Sequence, residues 1–139
     1  MKAIHTTIQN YLCNHHIMTI SVVKNSFPYC ATCFYLFIPE EQKILFASDP
    51  QSRHICRAID NPYIAGSIIT QTESITKIQG IQFVAKFQKH LSLLDKQRYL
   101  KRFPIARTFD LQLWTLKLYY IKMTDNRFGF GTKHIWSSL

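Results

Sequence analysis

Ile4, Ile8, Tyr11, Leu12 and His15 recur at helical spacing, so one apolar stripe predicts a short N-terminal helix. From residue 17 the pattern changes. Residues 17–23 are rich in β-branched side chains and predict a first strand, closed by the turn-forming stretch Asn25-Ser26-Phe27-Pro28. Residues 30–38 are apolar on both faces, which is the pattern of a strand covered on both sides by helices or by a partner subunit. A polar turn, Pro39-Glu40-Glu41-Gln42, separates it from a returning strand at 43–48, and the two form a hairpin.

Asp49-Pro50 breaks that strand, Ser52 is placed to cap a helix over 53–60, and Asn61-Pro62 ends the helix. Residues 63–70 predict another strand, and 71–78 a polar connection. The clearest alternation lies in 79–90, where Ile81, Phe83, Ala85 and Phe87 alternate with Gln82, Val84, Lys86 and Gln88. A helix over 91–103 carries Asp95 near its start and Lys101-Arg102 near its end, which suits the helix dipole, and Pro104 stops it. The last strand, 114–123, puts Trp114, Leu116, Leu118 and Tyr120 on one face, and 124–139 reads mostly as loop. About six strands and three short helices predict one α+β domain over residues 1–139, a small antiparallel barrel with flanking helices. A barrel this small is filled by its own side chains, so a large ligand must bind outside it or between subunits.

Composition adds bounds. The chain has 139 residues, 47% hydrophobic, with only four Gly and five Pro, which excludes disordered and fibrous classes. No stretch approaches the roughly 18 apolar residues of a membrane span, and Gln9, Asn10 and Asn14 interrupt any signal-peptide core, so a cytoplasmic setting is the expectation. Cys13, Cys30, Cys33 and Cys56 are then expected as thiols. The net charge of +9 favours anionic partners without choosing among them; the basic residues are scattered, as on a solvated surface.

Several chemical motifs are absent or incomplete. Cys30-Ala31-Thr32-Cys33 has no second Cys or His pair to complete a zinc site, and on a strand its thiols point to opposite faces. His5, His15, His16, His54, His90 and His134 form no metal motif. The acidic residues Glu40, Glu41, Asp49, Asp60, Glu73, Asp95, Asp110 and Asp125 offer no paired-carboxylate site. Ser52-Arg53-His54, after a strand and at a helix start, reads by itself first as a capped surface helix with solvated basic residues and second as an anion site, for which Arg53 brings a planar fork that matches phosphate oxygens. Phe128, Phe130 and Trp136, in a glycine-containing segment, either cover an aromatic ligand or seal the barrel.

Taken together, Lys43-Ile44-Leu45-Phe46-Ala47-Ser48, Ser52-Arg53-His54 and Ile59-Asp60-Asn61-Pro62 resemble the pyridoxamine 5′-phosphate oxidase-like FMN-binding split β-barrel superfamily. The ending from Ile121-Lys122 through Thr124-Asp125-Asn126, Gly129-Phe130-Gly131, Lys133 and Trp136, with Phe103-Pro104 and Ala106-Arg107, is similar to its uncharacterised YhbP-type branch. The resemblance implies a six-stranded split barrel and a homodimer with FMN in grooves between subunits. It assigns Ser52 and Arg53 to the phosphate, with His54 standing where the oxidases have Lys. Ala31, Thr32 and Cys33 match the strand along the isoalloxazine edge. Gln79 and Gln82 flank a family glutamine position; Thr124, Asn126 and Lys133 would come from the second subunit. Phe103 replaces an arginine that binds substrate phosphate in the vitamin B6 oxidases, so oxidation of pyridoxamine phosphate is not expected. What remains is an FMN-dependent oxidoreductase of unknown substrate; the alternatives are a non-catalytic flavin or small-ligand binder and, last, a nucleic-acid-binding barrel.

Overall fold

A computed structural model describes residues 2–89, 91–109 and 112–138; His90 and Asp110 lie outside the described residues. Its elements run α1 (Thr6–Asn14), β1 (Ile17–Lys24), β2 (Phe27–Ile38), β3 (Lys43–Ser48), α2 (Arg53–Asp60), β4 (Tyr63–Ile69), β5 (Gln79–Gln88), α3 (Leu93–Arg102), β6 (Gln112–Asp125) and β7 (Lys133–Ser137). The architecture is α+β, with one antiparallel sheet in the order β3-β2-β1-β4-β5-β6-β7. A further β3–β6 pairing closes the first six strands into a ring. β6 makes this possible by its length. Its first half, from Gln112 to Lys117, pairs with β3, and its second, from Tyr120 to Thr124, pairs on the same edge with β7.

The sheet thus has seven strands where the sequence pattern predicts six, and the tail beyond residue 124 is not mostly loop. β7 is only five residues long, too short for its alternation to show in the pattern. The first hairpin is also tighter than expected. Asn25 and Ser26 alone make the turn, both at positive φ, as a two-residue hairpin requires, and Phe27 and Pro28 already belong to β2.

Inside the ring, Ile81, Phe83, Ala85 and Phe87 of β5 are buried, as their alternation predicts. β6 departs from its simple period. Val84 pairs with Tyr120 but Ala85 with Leu118, so Tyr119 is an extra residue in a bulge. The inward set therefore shifts from Trp114, Leu116 and Leu118 to Ile121 and Met123, and Tyr120 leaves the face that the sequence assigns it. α1 and α2 close the core with Ile8, Tyr11 and Leu12, and with Ile55 and Ala58. α3 packs Tyr99 on a smaller cluster with Ile38, Leu45 and Leu113. Ser92 caps α3 by accepting from the Asp95 N–H. Asp95 in turn is 2.7 Å from Lys43 Nζ. Burial works against the ionised Asp95, yet the Lys43 ammonium and the Ser92 hydrogen bonds outweigh it and hold the carboxyl below its usual range.

Gly66 shows how tightly the ring is filled. It sits opposite Phe83 in the β4–β5 ladder, and a Cβ added there would lie 2.2 Å from Phe83 Cζ. Gly66→Ala must displace a buried ring, and overpacking of this kind costs about 1–3 kcal/mol. A drop of several degrees in Tm is expected. Gly80→Ala, whose Cβ would meet nothing nearer than 3.4 Å, is the matched control and should melt close to the parent. Equal melting of both variants would refute the Phe83 contact.

Candidate functional site

β2 is twelve residues long, but β3 pairs only with its last four, from Tyr35 to Ile38. From Phe27 to Phe34, β1 holds one edge and no strand among the described residues holds the other. An open strand edge presents unpaired N–H and C=O groups. The start of α2 meets this part of β2 through Arg53, which lies over the Tyr29 ring, and through His54, which reaches Ser48 beside the Cys33 thiol.

In the Ser52-Arg53-His54 stretch Arg53 diverges from Ser52 and His54, whose Oγ and Nε2 are 3.5 Å apart. Ser52 occupies the N-cap position of α2 without a side-chain cap bond; its hydroxyl instead donates to Asp49 O at 2.7 Å, closing the turn after β3. Arg53 reaches outward, its Cζ 5.3 Å from the centre of the Tyr29 ring. His54 turns inward. Its Nε2 lies 2.8 Å from Ser48 Oγ, which is 3.9 Å from the Cys33 thiol. Burial pushes the His54 imidazole below its ordinary value and the Cys33 thiol above its own, so both groups favour the neutral form. Cys30 is exposed and Cys33 buried, the opposed faces expected of a CxxC on a strand.

Outside Arg53 is a groove of about 410 Å³, lined by Lys24, Asn25, Phe27, Arg53, Cys56 and Arg57. Arg57 stands one helical turn after Arg53, with its Cζ 5.4 Å from the same Tyr29 ring. No motif singles Arg57 out; its four-residue spacing from Arg53 on a helix is the signal that points to it.

On the outer face of the sheet, short side chains stand in register across neighbouring strands. Thr32 pairs with Thr19, Thr19 with Ser67, and Ser67 with Gln82; the next row is Cys30, Ser21, Ala65 and Val84. They make a shallow platform, part of it a groove of about 400 Å³ that includes Thr19, Ser21, Cys30 and Gln82. Ala31, the inward neighbour of Thr32, is partly buried against the core. Ile17, Phe34, Tyr63, Ile69, Val84 and Ile135 are large exposed apolar residues on the same face. In a single chain the outward residues Cys30, Thr32 and Phe34 are therefore exposed, while Leu36 and Ile38 are covered by the Tyr99 cluster, so the cover that the sequence pattern predicts on both faces is present only at the end of the strand.

The C-terminal candidates lie at the far end of this face. Thr124 shares a groove of about 510 Å³ with both Gln79 and Gln82. Lys133 Nζ is 3.5 Å from Thr124 Oγ1 and 3.4 Å from Gly131 O. The Asn126 amide is engaged by its own chain: Nδ2 donates to Ile75 O, and Oδ1 accepts from Gly131 N, each at 2.9 Å. Beside it, hydrogen bonds from Arg127 hold the buried Asp125 carboxyl below its usual range, against the opposing effect of burial. Trp136 is buried and donates to Lys2 O, so it seals the core; Phe128 and Phe130 are exposed. None of the described grooves includes both Arg53 and Thr124.

Among the described residues no helix is long and apolar enough to cross a membrane. No family model matches the chain. Solved structures share its fold at low identity. A heme binding protein from Mycobacterium smegmatis aligns with a TM-score of 0.76 at 9% identity, over 98% of this chain and 60% of that one. A putative pyridoxamine 5′-phosphate oxidase from Listeria innocua gives 0.68 at 12%, over 84% and 94%. An FAD-binding protein from Mesorhizobium loti gives 0.66 at 10%, over 86% and 94%. The resemblance to the pyridoxamine 5′-phosphate oxidase-like proteins is thus a shared fold. A UPF0306 protein from Yersinia pestis bv. Antiqua (strain Angola) is 34% identical over 137 residues, covering 94% of this chain and 90% of the relative. With that identity over nearly the whole of both chains, this chain belongs to the UPF0306 family.

Proposed function

We propose that the chain binds FMN at the open edge of β2 and acts as a flavin-dependent oxidoreductase. The observation that carries this reading is the exposed Arg53, set beside an unpaired strand edge. A flavin ring has a polar edge that can hydrogen-bond to strand backbone at Ala31, Thr32 and Cys33, while its phosphate reaches Arg53. When bound, the flavin would supply the electron chemistry; the chain supplies binding, orientation and electrostatics. The fold neighbours include one named for FAD binding and one named as a putative oxidase, which supports a flavin-type ligand.

The working unit in this reading is a homodimer. The exposed apolar residues around the platform form a face that a second copy would cover. The partner's segment carrying Thr124 and Lys133 then reaches the flavin, and its Phe128 and Phe130 are available to cover the ring. Phe103 packs on Tyr99 at 5.0 Å and on Phe34 at 5.9 Å between ring centres. Phe103 thus places a neutral ring where the vitamin B6 oxidases carry a phosphate-binding arginine, which argues against pyridoxamine phosphate as the substrate.

Titration by flavin fluorescence tests the proposal. Micromolar FMN should be quenched on binding, and FAD should bind more weakly, because Arg53 is assigned to a terminal phosphate, which FAD lacks. Absence of quenching, or tighter binding of FAD, would overturn it.

A further inference from the structure

We infer that the ligand's phosphate is held by two guanidinium groups, Arg53 and Arg57, arranged over the Tyr29 ring, so that this groove selects a phosphomonoester. The ring-binding half of the site rests on the flavin reading; the phosphate half stands on its own observations.

The spacing comes first. Residues four apart on a helix share a face, and two like charges so placed repel each other. Both guanidinium carbons lie close to one ring, at 5.3 and 5.4 Å from its centre. Among the described residues neither arginine has a carboxylate within ion-pair distance. Arg98 and Arg127 differ in this respect, being paired with Glu41 and Asp95, and with Asp125. Lys24, on the same groove, leans on Asp60 at 3.0 Å. Two cations that line one groove without a counter-ion are relieved by an anion bound in it.

The identity of the anion follows from charge and shape. A guanidinium offers two parallel donors to phosphate oxygens. Two such forks match the two negative charges of a monoester better than the single charge of a diester. Tyr29 provides a flat support that limits the rotamers of both arginines, so less side-chain freedom is lost on binding. His54 cannot add a cation here, because its ring is turned to Ser48. Arg57 supplies the second charge instead.

Three probes separate the possibilities: FMN, riboflavin, and phenyl phosphate as a phosphomonoester without a flavin ring. Arg57→Ala should weaken FMN and phenyl phosphate by about tenfold to a hundredfold, the range for loss of a charge-assisted hydrogen-bond pair, and move riboflavin by less than about threefold. Arg57→Lys should recover only part of the loss, since an ammonium cannot form the fork. The Arg57 side chain faces the groove and α2 tolerates Ala, so an unchanged Tm verifies the fold. If Arg57→Ala leaves FMN affinity intact, or reduces FMN and riboflavin equally, the two-arginine clamp is wrong even though flavin binds. If wild type binds phenyl phosphate through Arg57 but takes up no flavin, the clamp stands and the flavin reading fails. Wild type that binds neither removes both.

Discussion

Arg53→Ala should lower the affinity for FMN by about tenfold to a hundredfold while leaving riboflavin within a small factor of its parent value. The two ligands differ only in the phosphate, so their difference isolates whatever Arg53 does for that group. In the free protein Arg53 lies on the exposed side of α2 over Tyr29, outside the core clusters. Its removal forfeits a cation–π contact worth about 0.5–1 kcal/mol at such an exposed site, which is small beside typical domain stability. The fold should therefore survive, and the loss should appear in binding. Parallel isotherms for the two flavins decide the matter. Equal weakening of both would mean that Arg53 supports the ring or the local fold and not the phosphate.

Mixing two binding-deficient protomers should restore flavin binding. In the proposed dimer each site takes Arg53 from one subunit and Lys133 from the other. No described groove of a single chain joins Arg53 to Thr124, the neighbour of Lys133 across β6 and β7, so a site using both needs two copies. If Arg53→Ala and Lys133→Ala proteins each bind no FMN, a heterodimer of the two has one site with both defects and one with neither. Such a heterodimer should bind about half the flavin of the parent dimer, since association between copies leaves the local chemistry of the intact site unchanged. Stoichiometry by absorbance after subunit exchange measures this. Exchange that yields no recovered binding, or a monomer that holds FMN at full affinity, would end the shared-site proposal. Lys133 is exposed, and among the described residues its Nζ contacts are long, at 3.4 and 3.5 Å, so its truncation should not disturb the strand pairing that carries it.

The resemblance names Ser52-Arg53-His54 and the C-terminal segment as candidates, and the structure shows where each of these side chains goes. The motif treats positions 52, 53 and 54 as one anion-binding unit. In the structure Ser52 closes a turn, Arg53 faces a groove and His54 faces Ser48. Consecutive residues at a helix start point in different directions, and which direction meets solvent depends on what packs there. Arg57 shares a helix face with Arg53 by its spacing, but that both meet Tyr29 depends on how α2 packs against a distant part of the chain. Asn126 matches the family ending, yet its amide ties Ile75 to Gly131.

Features set by near neighbours in the chain were legible without coordinates. The alternation from Ile81 to Phe87, the breaks at Asp49-Pro50 and Asn61-Pro62, and the charge order along α3 depend on side-chain period, on proline chemistry and on the helix dipole. These act over a few residues, so the order of most elements follows from them. Tertiary structure alone decided the rest. The pairing of β3 with β6, which closes the ring, joins segments about seventy residues apart, and nothing in either segment names the other. The bulge at Tyr119 reverses which face Tyr120 presents, because register is a property of two strands and not of one. β7 exists because the second half of β6 has an edge to offer. The open edge of β2 exists because β3 is too short to cover it, and the candidate site lies along that unpaired backbone.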